Sequence, residues 1–82
     1  MDWSDPHTAR LVLAKNVRRL RAVRGISQET LGQLTELRQA HVSEIESGRA
    51  NLTLDRLQAV ALALGVQPKD LLNERLRVQR KL

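Results

Sequence analysis

The segment LRQAHVSEIESG, residues 37–48, predicts a helix whose two halves have different surroundings. In its second half, Val42 and Ile45 are three residues apart, so helical geometry places them on one buried stripe. The first half, RQAH at residues 38–41, offers hydrogen-bonding groups and almost nothing to bury. Gly48 follows as a residue type that readily ends a helix. The segment is therefore expected to pack on one side and to expose a polar N-terminal end.

The composition of the 82-residue chain predicts one small domain, spanning residues 1–82, with an aliphatic core. Tyr, Phe and Cys are absent, and Trp3 is the only aromatic residue. Without cysteine no disulfide or thiolate metal site can form, which suits a reducing cytoplasm. His7 and His41 are the only histidines, so we expect no metal ion, and we expect no cofactor either.

The charge of the chain favours a polyanionic partner. Lys and Arg number 14 against 9 Asp and Glu, which gives a formal net charge of +5. Such an excess favours nucleic acid ahead of a membrane surface, although many small domains are basic for solubility alone. No apolar run reaches the length of about 18 residues that a membrane span requires. The N-terminus also lacks the pattern of a signal peptide.

Capping residues and glycines divide the chain into five predicted helices, and no segment alternates with period two over a useful length. Asp5 precedes Pro6 and is predicted to cap the first helix, with the proline at the first helical position. Ser27 and Thr53 are the predicted N-caps of the second and fourth helices. A fifth helix is predicted over residues 68–80 as a C-terminal extension. The predicted fold class is therefore all-α, and the glycines expected to end the first, third and fourth helices are Gly25, Gly48 and Gly65.

The short connection between the second and third helices predicts a helix-turn-helix. The second helix begins at Gln28 and the third near Arg38 or Gln39, and only about four residues separate the two. So short a connection forces a steep crossing and a close approach, and Gly32 lies where a side chain would obstruct it. In such a motif the second of the two helices lies in a major groove of DNA, with its N-terminal residues at the base edges.

The segment ISQETLGQLTELRQAHVSEIESGRANLTLDRLQAVALALGV, residues 26–66, resembles the Cro/C-repressor-type (XRE, lambda-repressor-like) family of DNA-binding domains. The resemblance covers roughly residues 12–72 and implies a compact five-helix domain. The part RANLTLDRL also resembles restriction–modification controller proteins, which are small dimeric regulators, although other family members share it.

One departure from the family lies in the turn of the helix-turn-helix. Thr35 and Glu36 stand where the family usually has an apolar residue and then glycine. A glutamate at positive φ costs on the order of 1 kcal/mol relative to glycine. We therefore expect either a tolerated strain at Glu36 or a turn with a different local geometry.

The resemblance implies a set of DNA-contacting residues. A glutamine pairs with adenine, a glutamate accepts from cytosine, an alanine touches a thymine methyl, and an arginine meets guanine or a phosphate. In the family a glutamine at the start of the second helix bonds a phosphate, and residues after the third helix grip phosphates beside the groove. Solvated surface is the alternative for the residues of the third helix, ordinary polarity at a helix start for Gln28, and a turn role for Asn51. The predicted set is Gln28, Arg38, Gln39, Ala40, His41, Ser43, Glu44, Arg49 and Asn51.

Two further sets are expected to have structural roles. In the family, residues matching Arg21 and Glu46 form a partly buried ion pair that aligns the first and third helices. The predicted fifth helix has more apolar surface than it needs to pack on its own domain, and this surface is contributed by Leu71, Leu72 and Leu76. We therefore predict a dimer contact there, with core packing as the alternative. The basic residues that go round the first helix are expected to be mostly solvated; they are Lys15, Arg18, Arg19 and Arg24.

These features favour a sequence-specific regulator that binds an operator in double-stranded DNA as a homodimer, in the cytoplasm and on the nucleoid. One alternative is an antitoxin that neutralises a toxin partner and represses its own operon. Another is a pure protein-interaction module whose basic face binds an acidic partner. An enzyme is not expected, because the sequence has no paired acids, nucleophile–base set or phosphate-binding glycine loop.

Overall fold

The computed structural model describes residues 2–78, and this part of the chain contains five α-helices and no β-strand. The predicted all-α class is therefore confirmed. No helix within residues 2–78 combines the length and the apolar character needed to cross a membrane. The helices are α1 (Thr8–Arg24), α2 (Gln28–Thr35), α3 (Gln39–Glu46), α4 (Leu54–Leu64) and α5 (Pro68–Leu71).

The helices pack around an aliphatic core, as the composition predicted. α2 packs against α3, α1 packs against α3, α4 and α5, and α4 also packs against α2 and α5. Val42 and Ile45 of α3 are fully buried in this core, while Leu37 in the preceding turn is partly buried against it. The buried members of the core are Leu13, Val17, Leu20, Leu31, Val42, Ile45, Ala50, Leu57, Val60, Ala61, Leu64, Leu71 and Leu76.

Local capping sets most of the helix starts. The hydroxyl of Ser27 accepts a hydrogen bond from the backbone N–H of Thr30 at 3.0 Å, and this confirms it as the N-cap of α2. Thr53 caps α4 in the same way, accepting from the N–H of Arg56 at 3.2 Å. The prediction for α1 was wrong, because Asp5 caps a turn ahead of the helix instead. Its carboxylate accepts from the N–H of His7 at 2.8 Å, and the helix starts only at Thr8.

The predicted fifth helix is much shorter than expected. α5 ends at Leu71, and the chain from there to residue 78 is not helical, while residues 79 and 80 lie outside the described part. The cause is the buried side chain of Asn16 on α1, whose amide donates to the carbonyl oxygens of Leu71 at 3.0 Å and Asn73 at 2.9 Å. These carbonyls are therefore held by α1 instead of accepting from a continuing helix.

Lys15, Arg18 and Arg19 of α1 are exposed, as expected for mostly solvated side chains, and Arg24 is partly buried. Three of these four basic residues also donate to backbone carbonyls. Arg18 donates to the carbonyl oxygen of Glu46, the last residue of α3. Arg24 donates at 3.3 Å to that of Leu64, the last residue of α4. Arg19 donates at 3.2 Å to the carbonyl oxygen of Leu76. A cation at a helix C-terminus satisfies an orphan carbonyl and interacts favourably with the helix dipole.

Candidate nucleic-acid interface

The turn between α2 and α3 has the left-handed residue that the sequence suggested. Glu36 has φ 59° and ψ 30°, and it is the only residue other than glycine with positive φ in residues 2–78. The N–H of Leu37 donates to the carbonyl oxygen of Gly32 at 2.8 Å and so closes the end of α2. The hydroxyl of Thr35 donates back to the carbonyl oxygen of Leu31 at 2.7 Å. The turn therefore uses ordinary left-handed geometry with a glutamate in the strained position.

Gly32 allows the chain to return close to α2. A Cβ atom on this residue would lie 2.5 Å from the carbonyl oxygen of Leu37, which is closer than real Cβ atoms come to other atoms. The close approach predicted from the glycine is therefore present. It lies between α2 and the backbone that leads into α3.

The outward side of α3 carries most of the residues that the sequence assigned to DNA. Gln39, Ala40, Ser43 and Glu44 are exposed, and His41 is partly buried. Arg38, the N-cap residue, is exposed as well, and its side chain forms no capping hydrogen bond. The structure thus brings these six residues together on α3 and its N-cap position.

A groove runs along one edge of α3, between this helix and the start of α4. We call it the α3–α4 groove, and it encloses about 500 Å³. Gln39 and Ser43 are not among its lining residues, so α3 presents two distinct edges. The groove is lined by Glu36, Leu37, Arg38, Ala40, His41, Glu44 and Arg56.

Arg56 is the lining residue that sequence analysis missed. It follows the Thr53 cap by three residues and is exposed on the first turn of α4. Its position after a predicted N-cap was readable from the sequence. Its proximity to α3 was not, because that depends on how the two helices pack.

The ion pair expected between α1 and α3 is present. Arg21 donates from Nε to Oε2 of Glu46 at 2.7 Å and from its Nη2 to Oε1 at 3.0 Å. Glu46 is only 5% exposed, and its hydrogen bonds raise the pKa of Arg21 above its ordinary value. The amide of Gln28 donates to the same Oε1 at 3.2 Å. One carboxylate therefore orients both the arginine of α1 and the first residue of α2.

The segment after α3 presents the two remaining predicted contacts. Arg49 and Asn51 are exposed on either side of Ala50, which is buried in the core. The Nε of Arg49 donates to the hydroxyl of Ser47 at 3.1 Å, and that hydroxyl donates to the carbonyl oxygen of Glu44 at 3.0 Å. Arg49 is thus held close to the C-terminal end of α3.

Two of the three leucines predicted to form a dimer contact are not available for it. Leu71 is 0% exposed and Leu76 is buried too, and both pack in the core of their own chain. The reason is the early end of α5, after which the chain turns back onto α1. Only Leu72 is exposed among the three. The two most exposed leucines within residues 2–78 lie on α4, where Leu54 is 82% and Leu62 is 81% exposed.

Comparisons with known proteins agree with this geometry. A family model described as helix-turn-helix matches residues 17–71, from within α1 to the end of α5. Control protein C.BamHI of Bacillus amyloliquefaciens is 42% identical over 65 residues, which are 78% of this chain and 80% of that protein. 

Solved structures of related regulators have a similar fold. The restriction-modification controller protein C.AhdI from Aeromonas hydrophila has a TM-score of 0.72 at 34% identity, over 76% of this chain and 94% of that one. The hypothetical transcription factor NHTF from Neisseria has a TM-score of 0.77 at 40% identity, over 83% of this chain and 76% of that one. The five-helix arrangement is thus shared by proteins of clear sequence similarity.

Proposed function

The chain belongs to the XRE-type helix-turn-helix family, and from that premise we propose that it is a transcription regulator of the restriction–modification controller type. It binds an operator in double-stranded DNA as a dimer, with α3 in the major groove. The observation that carries this proposal is the division of α3. Val42 and Ile45 fix the helix in the core, while its N-terminal half offers exposed polar side chains. The similarity to C.BamHI and C.AhdI favours a controller over an antitoxin.

Base recognition is assigned to the exposed residues of α3. Gln39 at the start of the helix suits adenine, whose N6 and N7 match the two groups of an amide. Glu44 suits the N4 amino group of cytosine, and the methyl group of Ala40 suits the methyl group of thymine. Arg38 reaches guanine or a phosphate, while Ser43 and His41 add hydrogen-bonding groups on the two edges of the helix.

Backbone contacts are assigned to residues that flank α3. Gln28, Arg49 and Asn51 lie before and after the helix and offer N–H donors for phosphate oxygens. The hydrogen bond from Gln28 to Glu46 supports this role, because it fixes the side chain at the start of α2 before DNA arrives. Such contacts set the position of the protein on the duplex and carry no base information.

The dimer contact is assigned to α4. Leu54, Gln58 and Leu62 are each four residues apart and exposed, so they lie on one outward face of the helix. Two α4 helices packed antiparallel about a two-fold axis bring Leu54 of one copy to Leu62 of the other, with Gln58 near the axis. Apolar area that shares one helix face is what a second protein surface can cover.

The test is selection of bound duplexes from a random pool, followed by competition against a large excess of random duplex. We expect enrichment of two related half-sites whose centres are about 34 Å apart, one helical turn of DNA. Gln33→Ala, which removes an exposed glutamine of α2 outside the assigned set, is the matched control and should select the same sequence. A pool without any enriched sequence would contradict the proposal and would favour a protein-interaction module.

A further inference from the structure

One side of the α3–α4 groove is formed by a residue that is not among the assigned DNA contacts. Arg56 comes from α4 and faces the same groove as His41 and Glu44 of α3. Its backbone N–H is held by the Thr53 cap, while its side chain is exposed and forms no hydrogen bond or ion pair within residues 2–78. The guanidinium is therefore available to a partner in the groove.

Glu44 is the groove residue that needs such a partner. Its carboxylate is exposed on the side of α3 assigned to base edges, where the phosphates of a bound duplex repel it. It forms no ion pair within the described part of the chain either. A carboxylate used for base recognition must be held towards its base donor, and a neighbouring cation both holds it and offsets the repulsion.

The other nearby cations are less suitable than Arg56. Arg38 precedes Glu44 by six residues, or about 9 Å along the helix axis. Helical side chains contact each other when they are three or four residues apart, so Arg38 is too far from Glu44. Arg49 already donates to Ser47, on the far end of α3. Arg56 lies opposite Glu44 across the groove, and no competing contact holds it.

We propose that Arg56 is a specificity-determining positioning residue that holds the carboxylate of Glu44 at a base edge when DNA is bound. The proposal rests on the proposed function and adds α4 to the surface that selects the sequence. Because Arg56 acts through Glu44, its loss should lower discrimination between duplexes more than it lowers binding to all of them. An arginine that only met a phosphate would weaken every duplex alike.

The experiment is a double-mutant cycle on the duplex selected by the wild-type protein and on a scrambled duplex. Glu44→Ala and Arg56→Ala should each reduce the ratio of the two affinities about tenfold, the size of one lost base contact. The double variant should lose little more than either single variant, because the two residues act as one unit. Arg56→Lys should recover part of the ratio, since it keeps the charge and loses the fork of donors.

Arg75→Ala is the matched control, because Arg75 is also exposed but lies in a different pocket, with Val12 and Lys15. It should leave the ratio unchanged, and thermal unfolding should show that Arg56→Ala folds like the wild type. Additive losses in the double variant, or a uniform loss with a salt slope lower by about one, would overturn the proposal. So would an unchanged ratio. A wild-type protein that prefers no sequence would instead overturn the proposed function itself.

Discussion

α3 and α4 each bury a stripe of aliphatic side chains, but their outward surfaces differ in chemical character. α3 buries Val42 and Ile45 and exposes polar and charged side chains, whereas α4 buries an aliphatic stripe and exposes Leu54 and Leu62. The buried stripes fix both helices in the same core. Under the proposed function, the outward surface of α3 meets DNA and that of α4 meets a second copy of the chain. A base edge requires hydrogen-bonding groups, and a second protein surface rewards apolar area.

This comparison separates three kinds of substitution. A change in the ion pair between α1 and α3 should affect folding. A change at Leu54 or Leu62 of α4 should affect assembly, and a change on the exposed side of α3 should affect sequence choice.

The largest effect is expected where α3 is held to α1. Arg21→Ala leaves the carboxylate of Glu46, 5% exposed, without its bidentate partner. The free energy of unfolding should fall by about 3 kcal/mol, because an unpaired buried charge is costly. Urea titration measures it, and Arg75→Ala should change the same quantity by less than about 0.5 kcal/mol. A loss below about 1 kcal/mol for Arg21→Ala would mean that the pair behaves as a surface ion pair.

The outward face of α4 is expected to control assembly without affecting folding. Leu62→Lys should weaken dimerisation by about 2 kcal/mol, because each dimer loses two partly covered leucine contacts of about 1 kcal/mol each. Sedimentation at micromolar concentration should then show a shift from dimer towards monomer. The free energy of unfolding of the monomer, measured at a concentration too low for dimerisation, should be unchanged, because Leu62 is 81% exposed in the single chain.

Two controls sharpen the assembly experiment. Leu34→Lys changes an exposed leucine on α2 and should leave the dimer intact. Leu76→Glu should destabilise the single chain, since Leu76 is part of its core. A wild-type monomer at the same concentration, or a Leu62→Lys dimer as stable as the wild type, would remove α4 from the interface.

Local signals in the sequence predicted the fold well where the physics is local. Ser27 and Thr53 cap helices through hydrogen bonds that span three residues. The positive φ of Glu36 was one of two expectations drawn from the resemblance, because the family usually has glycine at that position of the turn. The short connection and Gly32 gave the close approach of α2 and the backbone before α3.

The N-cap of α1 was a local error, because Asp5 accepts from His7 in a turn before the helix. The other errors concern contacts between residues far apart in sequence. Asn16 ends α5 by donating to carbonyl groups 55 and 57 residues away. The sequence near residue 71 contains no local signal for the end of this helix. Without that contact, the apolar pattern of Leu71 and Leu76 fits a partner surface as well as it fits the chain's own core. Arg56 was missed for the same reason, because its neighbours in the groove are contributed by α3.

The outward face of α3 is expected to divide base reading from backbone contact. Gln39→Ala should lower affinity for the selected operator by about 1–2 kcal/mol and leave a scrambled duplex almost unaffected. Arg49→Ala should weaken both duplexes similarly and lower the salt slope by about one. Salt titrations of both duplexes measure these quantities, with Gln33→Ala as the unchanged control. If Gln39→Ala, like Arg49→Ala, shifts the affinity for both duplexes equally, α3 does not read the sequence.

The smallest effect is expected at the turn between α2 and α3, which lies outside the exposed faces of both α3 and α4. Glu36→Gly should raise the free energy of unfolding by about 0.5–1 kcal/mol, because glycine adopts φ near 59° without the steric cost of a Cβ atom. The substitution also removes a carboxylate from the α3–α4 groove, so Glu36→Ala is the necessary control. It removes the same charge and keeps the Cβ atom, and it should not be stabilised. Equal stabilisation of both variants in urea titrations would assign the gain to charge, whereas a gain in Glu36→Gly alone would locate the cost in the backbone of the turn.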